Sequence, residues 1–206
     1  MKIEEFVESM KNVKMQSEQL AEKLKKMLEF MSVRIRQCLL SDADRLVEIY
    51  APYVQDTAVS FEYAVPSADV FKERIKNIVA RYPYLVAEVD GEVVGYCYAN
   101  DFKQRCAYSH CVETSIYIAK DFQGQGIGKM LYNELERQLA DRGIKNIYAC
   151  IAWIDKPNER LSHQSVEFHK RMGFSQVAHF HRCGWKFDEW YDTVWMEKLI
   201  NHYGLL

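Results

Sequence analysis

The sequence predicts an α/β protein of the α+β type, with a mixed central sheet of about 6–7 strands, flanking helices and one extra N-terminal helix. Three observations predict it. The chain has 206 residues, 49% hydrophobic and 27% charged, which suits one soluble domain with a real core and is too short for two full ones. Strand-like and helix-like runs alternate from residue 33 to 198, with an Asp90-Gly91 hairpin signal among them. A glycine-rich run at 124–128 lies between a strand pattern and a helix pattern, where a turn that binds an anion is built. The expected division is a helical extension over 1–30 and the domain over 31–206.

Residues 1–30 contain no Gly or Pro, and positions 3, 6, 10, 13, 17, 20, 24 and 27 form a heptad seam broken only by Ser17. Such a helix packs on its own domain or pairs with another subunit; Met31-Ser32 also resembles a fresh start after a leader. A strand follows at 33–36, then a helix start at Ser41-Asp42-Ala43-Asp44 ahead of Leu46, Ile49 and Tyr50. A loop through Ser60, Phe61, Glu62 and Tyr63 leads to a helix from 67 to about 81, with Phe71, Ile75 and Ile78 on one face. Strands at 84–89 and 92–98 flank the Asp-Gly turn. Another strand spans 110–119, and the helix after the glycine loop runs to about 141, with Leu131, Leu135 and Leu139 inward and Gly143 as its stop. The order closes with a strand at 144–151, a helix at 162–172 and strands at 174–183 and 190–196.

Composition narrows the function. Lys plus Arg total 27 against 29 Asp plus Glu, a net charge of −2, so nucleic acid is not an expected partner. No run reaches the roughly 18–20 apolar residues of a membrane span, and no apolar signal core opens the chain. The six cysteines are scattered without a Cys-x-x-Cys pair, as expected of reduced thiols in a cytoplasmic protein.

The glycine loop fails two common phosphate patterns. The dinucleotide motif from Gly124 needs Gly where Lys129 stands, and the nucleotide-triphosphate loop needs Gly at Gln123 and Ser or Thr at Met130. What fits is Gln-x-x-Gly-x-Gly at Gln123, Gly126 and Gly128. This resembles the pyrophosphate loop of the GNAT superfamily of acetyl-CoA-dependent N-acetyltransferases, and the order of elements over 33–198 is similar to that fold. The resemblance implies acetyl-CoA as co-substrate, held by Ile116, Tyr117 and Ile118, by Gln123, Gly124, Gln125, Gly126, Ile127, Gly128 and Lys129, and by Ser162 and Ser165.

Several segments resemble the phosphinothricin N-acetyltransferase branch: Ser60-Phe61-Glu62, Tyr82-Pro83, Arg105-Cys106-Ala107-Tyr108, Val112-Glu113, Ser165 with His169 ahead of Gly173-Phe174, Gly184-Trp185-Lys186 and Trp190-Tyr191-Asp192. That likeness implies direct transfer of acetyl to the α-amine of a small amino acid or analogue such as phosphinothricin, methionine sulfone or methionine sulfoximine. It implies Glu113 as the carboxylate that takes the ammonium proton, His169 as donor to the leaving sulfur, and Phe61, Glu62, Arg105 and Tyr108 as substrate contacts. A backbone N–H where the strand splays near Ile118 would stabilise the thioester oxygen. One departure stands out: the family's Asn three residues before Ser165 is Ser162 here, with Asn158 further back in a longer loop.

From residue pattern alone, Glu113 reads first as an ordinary exposed strand residue or ion-pair partner, His169 equally as a capping or packing residue and Arg105 nearly as readily as a solvated one. His179, His181 and Cys183 share a strand face, yet no second ligand pair at zinc spacing accompanies them, so no metal is expected. The alternatives are a GNAT enzyme acting on a protein N-terminus or a polyamine, and a non-catalytic acetyl-CoA-binding module. Relatives of this branch are expected to be homodimers.

Overall fold

The computed structural model describes Lys11, residues 14–20 and residues 33–200, and it separates into two compact units, Met1–Arg34 and Ile35–Leu206. In the first, residues 14–20 are helical with exposed side chains, and Lys14 Nζ lies 4.0 Å from Glu18 one turn on. Ser17 and Leu20 are the described seam positions; positions 3, 6, 10, 13, 24 and 27 lie outside the described residues.

The second unit is built on a seven-stranded sheet in the order β1-β2-β3-β4-β5-β7-β6. The chain runs β1 (Val33–Gln37), α1 (Ala43–Gln55), α2 (Ala68–Val79), β2 (Tyr84–Val89), β3 (Glu92–Asp101), β4 (Cys111–Ile118), α3 (Ile127–Asp141), β5 (Asn146–Trp153), α4 (Gln164–Arg171), β6 (Ser175–Lys186) and β7 (Glu189–Leu199). This is the mixed sheet with flanking helices that the sequence predicts. Strands β2, β3 and β4 pair antiparallel, β4 and β5 parallel, and β5, β7 and β6 antiparallel.

Local chemistry accounts for the elements. Ser67 starts α2 by accepting the Val70 N–H on its hydroxyl at 3.3 Å. Asp90 (φ 50°) and Gly91 (φ 87°) make the expected two-residue turn between β2 and β3. The residues expected to face inward are buried: Leu46, Ile49 and Tyr50 on α1, Phe71, Ile75 and Ile78 on α2, and Leu131, Leu135 and Leu139 on α3.

Register assigns the two faces of the sheet. Tyr98 pairs with Ser115, Tyr96 with Tyr117 and Asn100 with Glu113, so these side chains share one face. That face takes α1 and α2: Tyr50 meets Tyr117 edge-on at 4.9 Å, and Phe71 meets Tyr96 at 6.5 Å. The opposite face, with Val112, Thr114 and Ile116, takes α3, whose Tyr132 hydroxyl lies 3.0 Å from Thr114 Oγ1.

The last hairpin departs from expectation. The residue pattern ends a strand at Cys183, ahead of Gly184, but β6 runs on to Lys186. Gly184 does not break the strand; it makes room, because a Cβ there would collide with the Phe61 ring. The turn falls at Phe187 (φ 51°) and Asp188 (φ 57°), where no Gly or Asn marks it, and the Arg160 guanidinium covers the Phe187 ring at 4.5 Å. All six cysteines are free thiols, and no helix among the described residues is long and apolar enough to cross a membrane.

Candidate active site

The ladder between β4 and β5 holds for Cys111, Val112 and Glu113 against Asn146, Ile147 and Tyr148 and then stops, although β4 runs on to Ile118 and β5 to Trp153. The strands splay. The opening is lined by residues 114–117 of β4, residues 149–152 of β5, and Val59, Leu161, Ser165 and His169. Ile116, Tyr117, Ser165 and His169 are thus brought together as expected, whereas Ser162 is exposed and outside this lining.

Backbone direction follows from the antiparallel ladder. The Ala119 N–H reaches Val94 O at 2.8 Å, so Ala119 and Tyr117 point to β3, and Ile116 and Ile118 point the other way, into the splay. At Ile118 these groups meet Tyr53, whose hydroxyl donates to Ile118 O at 2.6 Å and accepts from Ile118 N at 3.2 Å and Gln123 Nε2 at 2.9 Å. The Ile118 amide expected for the thioester oxygen is therefore engaged by Tyr53, and Ile116 offers the next cleft-facing amide. Residue pattern does not single out Tyr53, because a helix tyrosine carries no mark of the loop it will meet.

The glycine loop makes a cradle at the start of α3. Gly124 (φ 73°) and Gly126 (φ 86°) take the left-handed conformation that side chains resist, and Gly126 is the N-cap. The first intrahelical bond is Met130 N–H to Gly126 O at 3.2 Å, so the amides of Ile127, Gly128 and Lys129 are left for an anion at the positive helix end. A Cβ at Gly128 would lie 3.2 Å from the Phe168 ring, which lets α3 and α4 approach closely. Gln125 is tied to Asp121 O at 2.8 Å, Ile127 is buried, and Lys129 is exposed beside the cradle.

Glu113 is half-buried on the α1–α2 face, and burial raises its carboxyl above the usual range while Lys103 pulls it back. Its neighbour Cys150 carries a thiol that burial and the Glu113 charge push up to about 12, so that thiol stays neutral. Lys103, which the residue pattern missed, lies 5.0 Å over Phe102 and 5.7 Å over Trp195, and Phe102 stacks on Tyr148 at 4.2 Å. Tyr108 meets Phe102 edge-on at 5.9 Å, and Arg105 is exposed on the same loop. Glu62 is already paired with Arg74 at 2.9 Å, and Phe61 is seated against Gly184 and Tyr191. Lys186 fixes this segment from beneath: buried at 3% exposure, it donates to the carbonyls of Val54, Thr57 and Ser60 at 2.7, 2.9 and 2.6 Å.

His169 lies on the other face with both nitrogens occupied. Nδ1 is 2.7 Å from Ser165 O, so it carries the proton, and Nε2 accepts from the Tyr132 hydroxyl at 2.9 Å. Thr114 donates to Tyr148 O at 3.1 Å, and its oxygen lies 3.0 Å from the Tyr132 hydroxyl. Burial pushes the imidazole down to about 4, against a raising contribution from the Ser165 carbonyl, so the ring is neutral at pH 7. This resting state does not offer the imidazolium proton that the family resemblance implies. Asn158 is likewise spent: its Oδ1 accepts from the Arg160 and Leu161 amides at 2.8 and 2.9 Å, and its Nδ2 bonds Glu189 at 3.0 Å.

Against this geometry, residues 35–195 match the family described as Acetyltransferase (GNAT) domain. The chain belongs to the GNAT acetyltransferases. This acetyltransferase is 34% identical over 161 residues to the phosphinothricin N-acetyltransferase of Alcaligenes faecalis, covering 78% of this chain and 79% of the relative. It is 32% identical over 171 residues to an L-amino acid N-acyltransferase of Escherichia coli, covering 81% and 92%. Among solved structures, a GNAT phosphinothricin acetyltransferase of Sinorhizobium meliloti in complex with acetyl-CoA superposes with a TM-score of 0.74 at 30% identity, over 82% of this chain and 88% of that one.

Proposed function

We propose that this acetyltransferase moves acetyl from acetyl-CoA to the α-amine of a small amino acid or amino-acid analogue. The observation that carries the reading is the splay itself: His169 and the glycine cradle that starts α3 belong to one face of the sheet, and half-buried Glu113, where the β4–β5 ladder ends, belongs to the other. Two reactants can then enter from opposite faces and meet between β4 and β5. The relatives named for phosphinothricin and for L-amino acids support the substrate class.

Acetyl-CoA supplies the activated thioester. The amides at the start of α3 hold its pyrophosphate, and the cleft-facing amide of Ile116 steadies the thioester oxygen. Glu113, its carboxyl raised by burial, takes the proton of the entering ammonium, directly or through water. Lys103 and Arg105 offer cations to the acid group of the substrate. His169, held neutral between Ser165 and Tyr132, positions the cleft wall. The proton for the departing sulfur comes from the amine nitrogen, which sheds a second proton as it becomes an amide. The enzyme works as a cytoplasmic homodimer in this reading; six free thiols agree with a reducing compartment.

A polyamine would want several carboxylates at the acceptor face. Here Glu62 is neutralised by Arg74, and Lys103 and Arg105 add positive charge. Thiol release from acetyl-CoA tests the proposal, measured across L-amino acids, methionine sulfone, methionine sulfoximine, phosphinothricin, spermidine and an N-terminal peptide. The expected result is turnover confined to the amino acids and analogues. Preference for spermidine or the peptide, or no turnover with any amine, overturns it.

A further inference from the structure

Outside the acetyl-transfer cleft, three side chains of the last hairpin converge on one point. His179 Nε2 and His181 Nδ1 lie 2.7 and 3.1 Å from the same oxygen, Oδ2 of Asp192. The other oxygen, Oδ1, is held by the Arg182 N–H at 2.7 Å, which aims the carboxylate at the two rings. The backbone sets this up. The β6–β7 register shifts between Phe180 and Gly184, and Arg182 takes φ 46°, which brings the rings of His179 and His181 to 4.1 Å. The three ligand atoms all lie within 4.8 Å of one another. None of the three residues lines the cleft.

We propose that His179, His181 and Asp192 form a binding site for one divalent late transition metal, zinc foremost, with solvent completing the coordination. Two imidazoles and one carboxylate select zinc, cobalt or nickel over magnesium and calcium, which prefer oxygen donors. Without metal, both rings turn an N–H toward Oδ2. On binding, each ring moves that proton to its outer nitrogen, and two lone pairs and one carboxylate oxygen face the ion; no electron is transferred and no net proton is lost. His181 is exposed, so the ion has an entry path, while the Arg182 amide supplies the outer contact that orients the carboxylate. The ion would tie two positions of edge strand β6 to β7. It would also bear on Trp153, which meets His179 edge-on at 6.4 Å and stacks on His163 at 3.9 Å. Sequence spacing hid the site because its carboxylate comes from the partner strand, beyond a register shift.

The test is calorimetric titration of the tag-free, reduced full chain with zinc chloride, paired with visible absorption on adding cobalt chloride. The expected result is one saturable equivalent, ligand-field bands in the cobalt spectrum and a metal-dependent rise in Tm. His181→Ala, at an exposed position, should fold as the parent does and weaken binding at least tenfold, and His179→Gln should do the same. Cys183→Ser and Cys106→Ser should leave binding unchanged. No stoichiometric binding by the parent, or binding that His181→Ala leaves intact while a cysteine variant removes it, overturns the proposal.

Discussion

At the scale of single residues, burial decides what each titratable group can do. Glu113 and His169 lie on opposite faces of the splay, and burial drives both toward their neutral forms, the carboxyl upward and the imidazole down to about 4. For Glu113 this makes a stronger base, so Glu113→Gln should lower kcat about 100-fold at neutral pH with acetyl-CoA affinity unchanged, checked by steady-state kinetics beside calorimetry. For His169 the consequence is a pH-dependent stability. The unfolded ring titrates near 6.5 and the folded one near 4, so between these values the unfolded chain binds the extra proton. Stability from the neutral ring is complete above about 6.5 and falls on acidification toward 4. The full loss is up to about 3 kcal/mol, since each tenfold difference in proton affinity between the two states is worth roughly 1.4 kcal/mol. Urea unfolding at pH 7.5, 6 and 5 should show the first part of this loss, about 2 kcal/mol by pH 5, and His169→Gln should flatten it. Both residues were legible from the family resemblance of the sequence; their protonation was not, because Tyr132, Ser165 and Lys103 reach them only through the fold.

At the scale of elements, the glycine loop and the splay do different work. Local chemistry made the loop readable: glycines between a strand pattern and a helix pattern announce a left-handed turn before they announce a ligand. The splay was legible only through the family resemblance, since the parting of β4 and β5 is a relation between two strands and each alone looks regular. The same holds for β6, which was expected to end at Cys183 and runs on through Gly184, a seat for Phe61. Gly126 offers the sharpest test of the loop. At φ 86° it caps α3, and an Ala there carries about 1–2 kcal/mol of left-handed strain. Relief of that strain tilts the amides of the first turn. Gly126→Ala should therefore raise KM for acetyl-CoA roughly tenfold, with a smaller change in KM for the amine, because the amine enters from the opposite face. An equal rise in both would show that the loop shapes the whole cleft instead.

For the molecule as a whole, the near-neutral charge of −2 agrees with an anion held by backbone amides and a helix end rather than by a basic surface. We propose a division of the chain near residue 30. The heptad seam ends by position 27, and the structure divides into units between Arg34 and Ile35, one of them carrying the entire cleft. The core of that second unit draws on Leu46, Phe71, Tyr96, Leu131 and Met196, all beyond the boundary. A chain beginning at residue 31 should therefore keep Tm within about 3 °C and kcat/KM within about twofold of the parent, a change below about 1 kcal/mol in each. Assembly is where the extension should act. A heptad seam with Leu20 exposed on it and Met15 exposed beside it gains by pairing with a second copy, because an amphipathic helix alone leaves its apolar stripe in water. Light scattering on both chains reads this directly: a dimeric parent that becomes monomeric on truncation with kcat/KM intact assigns 1–30 to pairing, and the same association state for both chains removes that role.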